Sequence, residues 1–355
     1  MRNGFNTAGF SEVVHEITKD PREAKFVYTA KARRSELTGL SVQVLPALLG
    51  TVKSPRNFSF RLKDSWAKIP QGEAYIATPK DLFFTGIGSC MMTTLVGGAS
   101  ARHLALEGAE LDLTPIPRDG SGNDEIAVSA RFSLATSSED SRCEQLVGRV
   151  AEQSPNYVTL AARTPVSVIA AGVAHPQTVA NHPTTPSLWP SKFEQLSIAW
   201  VSGTQCLAHV GKPDSGTSLR VDAPKQLTGV DWGPNPQEYL LAGLASEMSS
   251  LLFQNSLGTP LEGCSWEVVA TGIEDVRGFL GVDPNIEVGL QGVECRISPP
   301  TGSVQLIDDI VSQAVRDSEV TALLVNPVEV NLLWQRATDG DQTRNKLALR
   351  PGVGE

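Results

Sequence analysis

Two segments of the chain predict helices that are apolar on every side, and they constrain the fold more than any other feature. The first reads LFFTGIGSCMMTTLVG over 82–97, and the second reads GPNPQEYLLAGLASEMSSLL over 233–252. A helix without a polar face must be buried all round. A layer of strands covers only one face of such a helix. Each of the two therefore needs a further partner, and the natural partner is the other one.

Three glycines in these segments bear on how the helices meet. Gly86, Gly88 and Gly243 each lower helix propensity by about 1 kcal/mol relative to alanine. A glycine also lets a neighbouring helix approach closely, because it has no side chain. We therefore predict that the two helices cross at the centre of the molecule.

The order of predicted elements repeats on either side of a proline-rich stretch. Each side predicts strands, a helix that begins at a proline, further strands, a second helix and a closing strand. The central helices are offset by 157 residues (247 − 90) and the closing strands by 162 (327 − 165), so one small insertion separates the copies. Similarity at so long a period is typical of a duplicated unit. We predict α+β domains at 25–174 and 193–337, a linker at 175–192, an N-terminal extension at 1–24 and a C-terminal tail at 338–355.

The charge and hydropathy of the chain exclude several classes of partner. The net charge is −9, and the one short basic run, KARRSE at 31–36, contains an acidic residue. A chain of this charge repels phosphate backbones, so no nucleic-acid partner is expected. No run approaches the about 20 apolar residues of a membrane helix, and no signal-peptide pattern opens the sequence. We predict a cytoplasmic protein that does not bind membranes.

The cysteines predict free thiols rather than a disulfide framework. Their number is odd, their spacing is irregular and no Cys-x-x-Cys pair occurs. The histidines show no metal-ligand spacing, so neither a metal nor a cofactor is expected. The five cysteines are Cys90, Cys143, Cys206, Cys264 and Cys295.

Several motifs resemble the OsmC/Ohr family. GPNPQEYLLAGLAS and DVRGFLGVDPNIEVGLQGVECRI, at 275–297, carry a specific likeness in the second half. The first half is similar more loosely, through TPKDLFFTGIGSC and Ser154-Pro155. The resemblance implies a swapped dimer of α+β subunits, which here becomes an intrachain pseudo-dimer with two central buried helices and swapped antiparallel sheets. It covers roughly 25–172 and 193–336.

The family resemblance also implies a chemistry. Many members are thiol peroxidases that reduce organic hydroperoxides, and a second cysteine before a proline resolves the oxidised cysteine as a disulfide. Cys90 matches the oxidised cysteine. Ser154 stands where the resolving cysteine is expected, and Glu247 takes the place of the cysteine in the second half. The second site is therefore degenerate.

The glutamate and the arginine that assist the cysteine in the family have less complete matches in this sequence. Its helix-start glutamate falls at Lys80 and Gln237, and the neighbouring acidic position of other subfamilies falls at Asp81 and Glu238. The family also has an arginine on an early strand. Its candidates are Arg33 and Arg34 in the first half, with Gln205 nearby in the second.

Helix geometry selects among these helpers. Asp81 lies nine residues before Cys90, about 13 Å along one helix, so it cannot assist its own cysteine. The helper must come from the antiparallel partner helix, which makes Glu238, with Gln237 beside it, the predicted partner of Cys90. By the same logic Asp81 and Lys80 would face the degenerate site, where Lys80 could form a buried salt bridge with the glutamate.

Three functions stay open. Cys90 could reduce organic hydroperoxides, become a sulfenic acid and be restored by an external thiol. It could instead add to an electrophilic carbon in a biosynthetic pathway, with Glu238 moving the proton. Finally, it could be a small buried residue of a binding or scaffold protein. The expected partners are a small-molecule electrophile and an external thiol. The supporting site residues are Gln237, Ser154, Gln205 and Cys206, the last as a resolving thiol in a new place.

Overall fold

The computed structural model describes residues 2–64, 66, 75–115, 127–175, 196–211 and 216–338. The predicted linker after residue 175 and the predicted tail after residue 338 lie outside the described residues. Helices and strands alternate through both halves, so the predicted α+β class is confirmed.

Five of the described α-helices lie in the first half and three lie in the second. They are α1 (Thr7–Lys19), α2 (Pro79–Ala101), α3 (Asp140–Gly148), α4 (Val150–Gln153), α5 (Pro155–Ala161), α6 (Pro236–Ser256), α7 (Val304–Asp317) and α8 (Glu319–Val325). The strands of the first half are β1 (Lys25–Ser35), β2 (Gly39–Val44), β3 (Leu48–Leu49), β4 (Val52–Lys53), β5 (Phe58–Leu62), β6 (Gly108–Pro115), β7 (Ala127–Ala135), β8 (Val166–Ala170) and β9 (Val173–His175). Those of the second half are β10 (Leu196–Ser202), β11 (Gln205–Val210), β12 (Thr217–Val221), β13 (Trp266–Asp275), β14 (Gly292–Ser298) and β15 (Glu329–Arg336).

The two central helices, α2 and α6, begin in the same way. Each has a proline in its first turn behind a capping box. The Thr78 hydroxyl accepts from the Asp81 N–H while the Asp81 carboxylate accepts from the Thr78 N–H. Asn235 and Glu238 form the same reciprocal pair at the start of α6. Both pairs satisfy N–H groups that the first turn would leave without partners.

The central helices cross where neither has a side chain. A Cβ on Gly86 would lie 2.5 Å from the Pro236 carbonyl oxygen, and one on Gly243 would lie 2.7 Å from the backbone nitrogen of Phe83. Real side chains essentially never come so close, so these two glycines set the distance between the helices. The third glycine, Gly88, meets sheet side chains rather than the other helix. Its predicted part in the helix crossing is therefore wrong.

Two sheets cover the helix pair, and each contains strands of both halves. One runs β4-β3-β1-β13-β14-β8-β9, with β2 and β5 alongside β1, and the other runs β12-β11-β10-β6-β7-β15. The opening strands of one half thus join the middle strands of the other. The predicted antiparallel pairing is corrected at the closing strands, because β8 runs parallel to β14 and β15 parallel to β7. Helices precede both closing strands, so no hairpin fixes their direction.

Helix α2 is more apolar than α6, the other central helix. By length and composition alone it could cross a membrane, but most of it is buried inside the protein. The sequence-based statement that no segment is apolar enough is therefore too strong. Burial on all sides follows from the helix crossing at one face and the sheet at another.

Candidate functional site

A cavity of about 280 Å³ lies along α2, close to the size of small-ligand sites. One wall is a single stripe of α2 whose lining residues recur three or four apart, from Cys90 to Arg102. The start of α6 contributes Gln237 to the cavity near the cysteine. The N-terminal extension contributes Phe5 and Phe10. The cavity therefore draws on both halves and on a segment that lies outside the family resemblance.

Cys90 occupies the buried end of this cavity, with 4% of its surface exposed. Its sulfur accepts hydrogen bonds from the Ser154 hydroxyl and from the Asn156 N–H, each at 3.3 Å. Burial raises the pKa of the Cys90 thiol to about 12, although both donors oppose the shift. The resting group is therefore a neutral thiol held by two donors that would stabilise a thiolate.

Asn156 is a site residue that the sequence analysis missed. Its side-chain amide donates to the Gly86 carbonyl oxygen at 2.9 Å, which ties the start of α5 to α2. Its backbone N–H is thereby fixed toward the sulfur. No local sequence signal identifies it beyond its position directly after Ser154-Pro155.

A buried carboxyl group stands behind Gln237. The Gln237 amide donates to both Glu274 oxygens, at 3.4 and 3.2 Å, and the Tyr28 hydroxyl donates to one of them at 3.2 Å. Glu274 is 1% exposed, and burial raises its pKa to about 8. After burial and the two donors, the Glu274 charge has a small raising effect on the pKa of Cys90. The alternation of β13 puts Glu274 on the buried face, a signal that could have found it.

The predicted role of Glu238 is corrected by the structure. Glu238 is not among the described residues that line the cavity. Its carboxylate accepts from the Asn235 N–H and pairs with Arg56, 3.0 Å away, and both side chains are buried. Burial raises the pKa of Glu238 to about 7, and Arg56 opposes that shift. One oxygen of the carboxylate thus serves both the helix cap and a buried ion pair.

Neither candidate for the expected arginine is among the described residues that line the cavity. Arg33 donates to the Ser265 hydroxyl, and Arg34 pairs with Asp64 at 3.0 Å. The arginine that meets the acidic residue of α6 is Arg56, from the loop before β5. A loop has no hydrophobic period, so no sequence pattern distinguishes this residue.

In the second half, a carboxylate accepts from the same kinds of donor that contact the Cys90 sulfur in the first half. Glu247 is 3% exposed, and one of its oxygens accepts from the Ser318 hydroxyl at 2.6 Å and from the Val320 N–H at 3.0 Å. A hydroxyl and an N–H two residues later also serve Cys90. Burial raises the pKa of Glu247 to about 7, and the nearby Lys80 charge opposes this. The glutamate thus fills the place that the thiol has in the first half.

The predicted partners of Glu247 are otherwise engaged. Lys80 forms its salt bridge with Glu319 rather than with Glu247, so the predicted pair is wrong. Asp81 accepts from the Thr78 N–H and the Tyr75 hydroxyl. A capping box therefore takes the carboxylate that was expected to face the second site.

The two supporting residues on β11 lie behind the cavity wall. Cys206 is fully buried, and Thr93, which lines the cavity, donates its hydroxyl to the Ser89 carbonyl oxygen at 2.9 Å. Burial raises the pKa of the Cys206 thiol well above its usual value. Gln205 is half-buried, and neither residue is among those that line the cavity. All five cysteines are free, and no His, Cys, Asp and Glu cluster suited to a metal occurs within the described ranges. A resolving role for Cys206 stays a prediction.

These features define a class of protein: an α+β fold with two crossed central helices, strand-swapped sheets and a buried cysteine at the end of an apolar cavity. Residues 72–169 match the family model of OsmC-like proteins. The part of the chain that carries Cys90 and Ser154 is therefore similar to OsmC-like proteins. The match falls in the first half, although the motifs quoted above are more specific in the second. No curated protein matches the chain. The tandem duplication and the domain limits stay predictions.

Proposed function

We propose that the protein is a thiol-dependent enzyme that reduces organic hydroperoxides, with Cys90 as its nucleophile and an external thiol as reductant. The observation that carries the proposal is the position of the Cys90 sulfur. It lies at the buried end of a largely apolar cavity and faces two hydrogen-bond donors. The OsmC-like match supports the proposal, because proteins of that family are generally peroxidase-like thiol enzymes.

The oxidation step uses the groups around the sulfur. The Cys90 thiol loses its proton, and the Ser154 hydroxyl and the Asn156 N–H stabilise the thiolate. The thiolate attacks the terminal oxygen of the hydroperoxide, and the O–O bond breaks. The alkoxide that leaves takes up the proton, so the products are an alcohol and the Cys90 sulfenic acid. Gln237, held by Glu274 at the cavity wall, orients the peroxide oxygens.

Reduction then requires thiols from outside the protein. Ser154 cannot form a disulfide, and Cys206 is fully buried and is not among the described residues that line the cavity. An external thiol attacks the sulfenic sulfur, which releases water and leaves a mixed disulfide. A second thiol displaces Cys90 and forms a free disulfide with the first. The partners are thus a small hydroperoxide and a low-molecular-weight or protein thiol.

A second candidate function is the addition of Cys90 to an electrophilic carbon. The raised pKa of Cys90 favours it, because a thiol that is neutral at rest can pass its proton to the electrophile as the bond forms. Glu274, with a pKa of about 8, can exchange a proton near neutral pH. A third function, non-catalytic binding, would use the same cavity without any bond to sulfur.

Peroxide turnover with chemical trapping of Cys90 separates these functions. Purified protein with dithiothreitol should consume cumene hydroperoxide, and dimedone should label Cys90 as a sulfenic acid in mass spectrometry. Cys90→Ser should abolish both signals, while the half-buried Cys264→Ser control keeps them. Adducts of an unsaturated ketone at Cys90, without sulfenic acid, would favour the second function. If neither product forms, the binding function is favoured and the enzyme proposal is rejected.

A further inference from the structure

We propose that residues 2–19 form a fixed cover over the cavity, and that Phe5 and Phe10 on this cover determine by width which molecules reach Cys90. Asn3 is the positioning residue that holds the cover in place. The inference rests on the proposed function only for the reaction at the sulfur. Its evidence is the set of contacts that tie the cover to both halves of the chain.

The cover spans the cavity from the first half to the second. Thr93 and Gly97 of α2 line the cavity and are only half-buried. Phe5 lies against this side of α2, because its ring is 3.8 Å from the position that a Cβ on Gly97 would take. Helix α1 contacts the short turn at Lys225–Leu227, on the other side of the cavity. The cover therefore closes a gap between elements of the two halves.

Helix α1 has the residue pattern of an element that packs on one face. Phe10, Val13, Val14 and Ile17 recur at the spacing of a single helix face. Phe10 lines the cavity, Val13 packs against the core and Ile17 is buried. Phe5 and Phe10 pack edge to face, with ring centroids 5.4 Å apart, so the two rings support each other. The apolar face of α1 is thus directed toward the cavity.

Asn3 ties the cover to the end of α2. Its side-chain nitrogen donates to the Ser100 hydroxyl at 3.1 Å and to the Leu104 carbonyl oxygen at 3.0 Å. Its side-chain oxygen accepts from the Leu106 N–H at 3.0 Å. The backbone of Asn3 is left-handed, with φ of 52°, a conformation that asparagine adopts more readily than most residues. Both the side chain and the backbone of this residue suit the anchor.

A second anchor joins the cover to the second half. The Asn3 carbonyl oxygen accepts from the Gly203 N–H at 2.9 Å, in the turn between β10 and β11. Gly203 has φ of 57°, and a Cβ there would lie 2.9 Å from the Gly4 carbonyl oxygen. The turn therefore accommodates the cover because it has no side chain at this position. Anchors on both halves keep the two rings in place.

A cover of this kind selects molecules by width. Phe5 is 6% exposed and belongs to an anchored segment, so a molecule wider than the cavity must displace it or Phe10 to reach Cys90. Displacement would break the hydrogen bonds of Asn3. The cover precedes residues 72–169, so this selection comes from outside the part of the chain that matches the family model.

Rates of maleimide addition to Cys90 test the inference without peroxide chemistry. N-ethylmaleimide and the wider pyrenylmaleimide form the same bond to the thiol, and mass spectrometry quantifies each adduct at Cys90. Relative to the urea-unfolded protein, the folded parent should disfavour the wider reagent. Phe10→Ala should raise the pyrenylmaleimide rate about tenfold and leave the N-ethylmaleimide rate close to that of the parent, since an apolar wall contributes selection of this order. Asn3→Gly permits the left-handed backbone but removes the side-chain anchor, so it should act in the same direction.

Val14→Ala is the matched control, because Val14 is half-buried on the same helix but is not among the described residues that line the cavity. It should keep the parent's ratio of the two rates. The inference is overturned if the folded parent does not disfavour the wider reagent, if Phe10→Ala leaves the ratio unchanged, or if Val14→Ala changes it equally. An unchanged ratio in Asn3→Gly rejects the positioning role of Asn3.

Failure of the cover is distinguishable from failure of the proposed function. If Phe10→Ala changes the ratio while no cumene hydroperoxide is consumed, the cover stands and the peroxidase proposal is rejected. If cumene hydroperoxide is consumed but the ratio does not respond to Phe10→Ala, the cover is rejected and the peroxidase proposal stands.

Discussion

The crossing of α2 and α6 predicts opposite effects for the same substitution at two places in one helix. Glycine to alanine gains about 1 kcal/mol of helix propensity at either place. At Gly86 the new Cβ would lie 2.5 Å from the Pro236 carbonyl oxygen and 2.7 Å from the Leu240 nitrogen. These are backbone atoms, so α6 itself must move. Overpacking costs about 1–3 kcal/mol, and a backbone clash belongs at the upper end. We expect Gly86→Ala to lower the free energy of unfolding by about 2 kcal/mol.

The matched control is Gly97→Ala, eleven residues further along α2. There the nearest atoms are those of the Phe5 ring at 3.8 Å, an ordinary contact. Only the propensity gain remains, so the variant should be more stable than the parent by up to about 1 kcal/mol. Urea unfolding followed by circular dichroism measures both differences from the transition midpoints. The reasoning is refuted if Gly86→Ala is as stable as the parent, or if Gly97→Ala loses as much stability as Gly86→Ala.

Three further predictions concern the buried polar groups. The pKa of Glu274 is raised from 4.5 to about 8, so its contribution to stability is full below pH 4.5 and is lost as pH rises toward 8. In Glu274→Gln the unfolding free energy should therefore fall less steeply between pH 4.5 and pH 8. A slope equal to that of the parent protein contradicts this prediction. Ser154→Ala should slow iodoacetamide alkylation of Cys90 by roughly tenfold at fixed pH, because the thiolate loses a donor; an unchanged rate rejects the donor role. Arg56→Met should lower the unfolding free energy in urea by about 3–5 kcal/mol by leaving Glu238 unpaired, whereas combining it with Glu238→Leu should recover part of the loss.

The sequence predicted the core of the fold better than its edges. Helices without a polar face had to be buried, and the glycines at 86 and 243 indicated where they meet. The parallel pairs that β8 and β15 make could not be predicted. Their direction depends on long helical connections, which carry no signal in the strand residues themselves.

The candidate site was predicted where a motif carries it and missed where only tertiary contacts do. Cys90 and Ser154 followed from the resemblance, but Arg56 is in a loop and Phe5 is in the N-terminal extension. The error at Glu238 has a local cause. Asn235-Pro-Gln-Glu238 is a capping pattern, and the cap uses the carboxylate that helix geometry alone had assigned to the cysteine.

Because the halves exchange strands within one chain, every molecule contains the same pair of halves. Two separate subunits that share strands in this way dissociate on dilution and can combine as like or unlike pairs. One continuous chain permits a single combination, in which every molecule carries one sulfur at position 90 and one carboxylate at position 247. The ratio of the residue at position 90 to the residue at position 247 is therefore always one to one, and it does not depend on protein concentration.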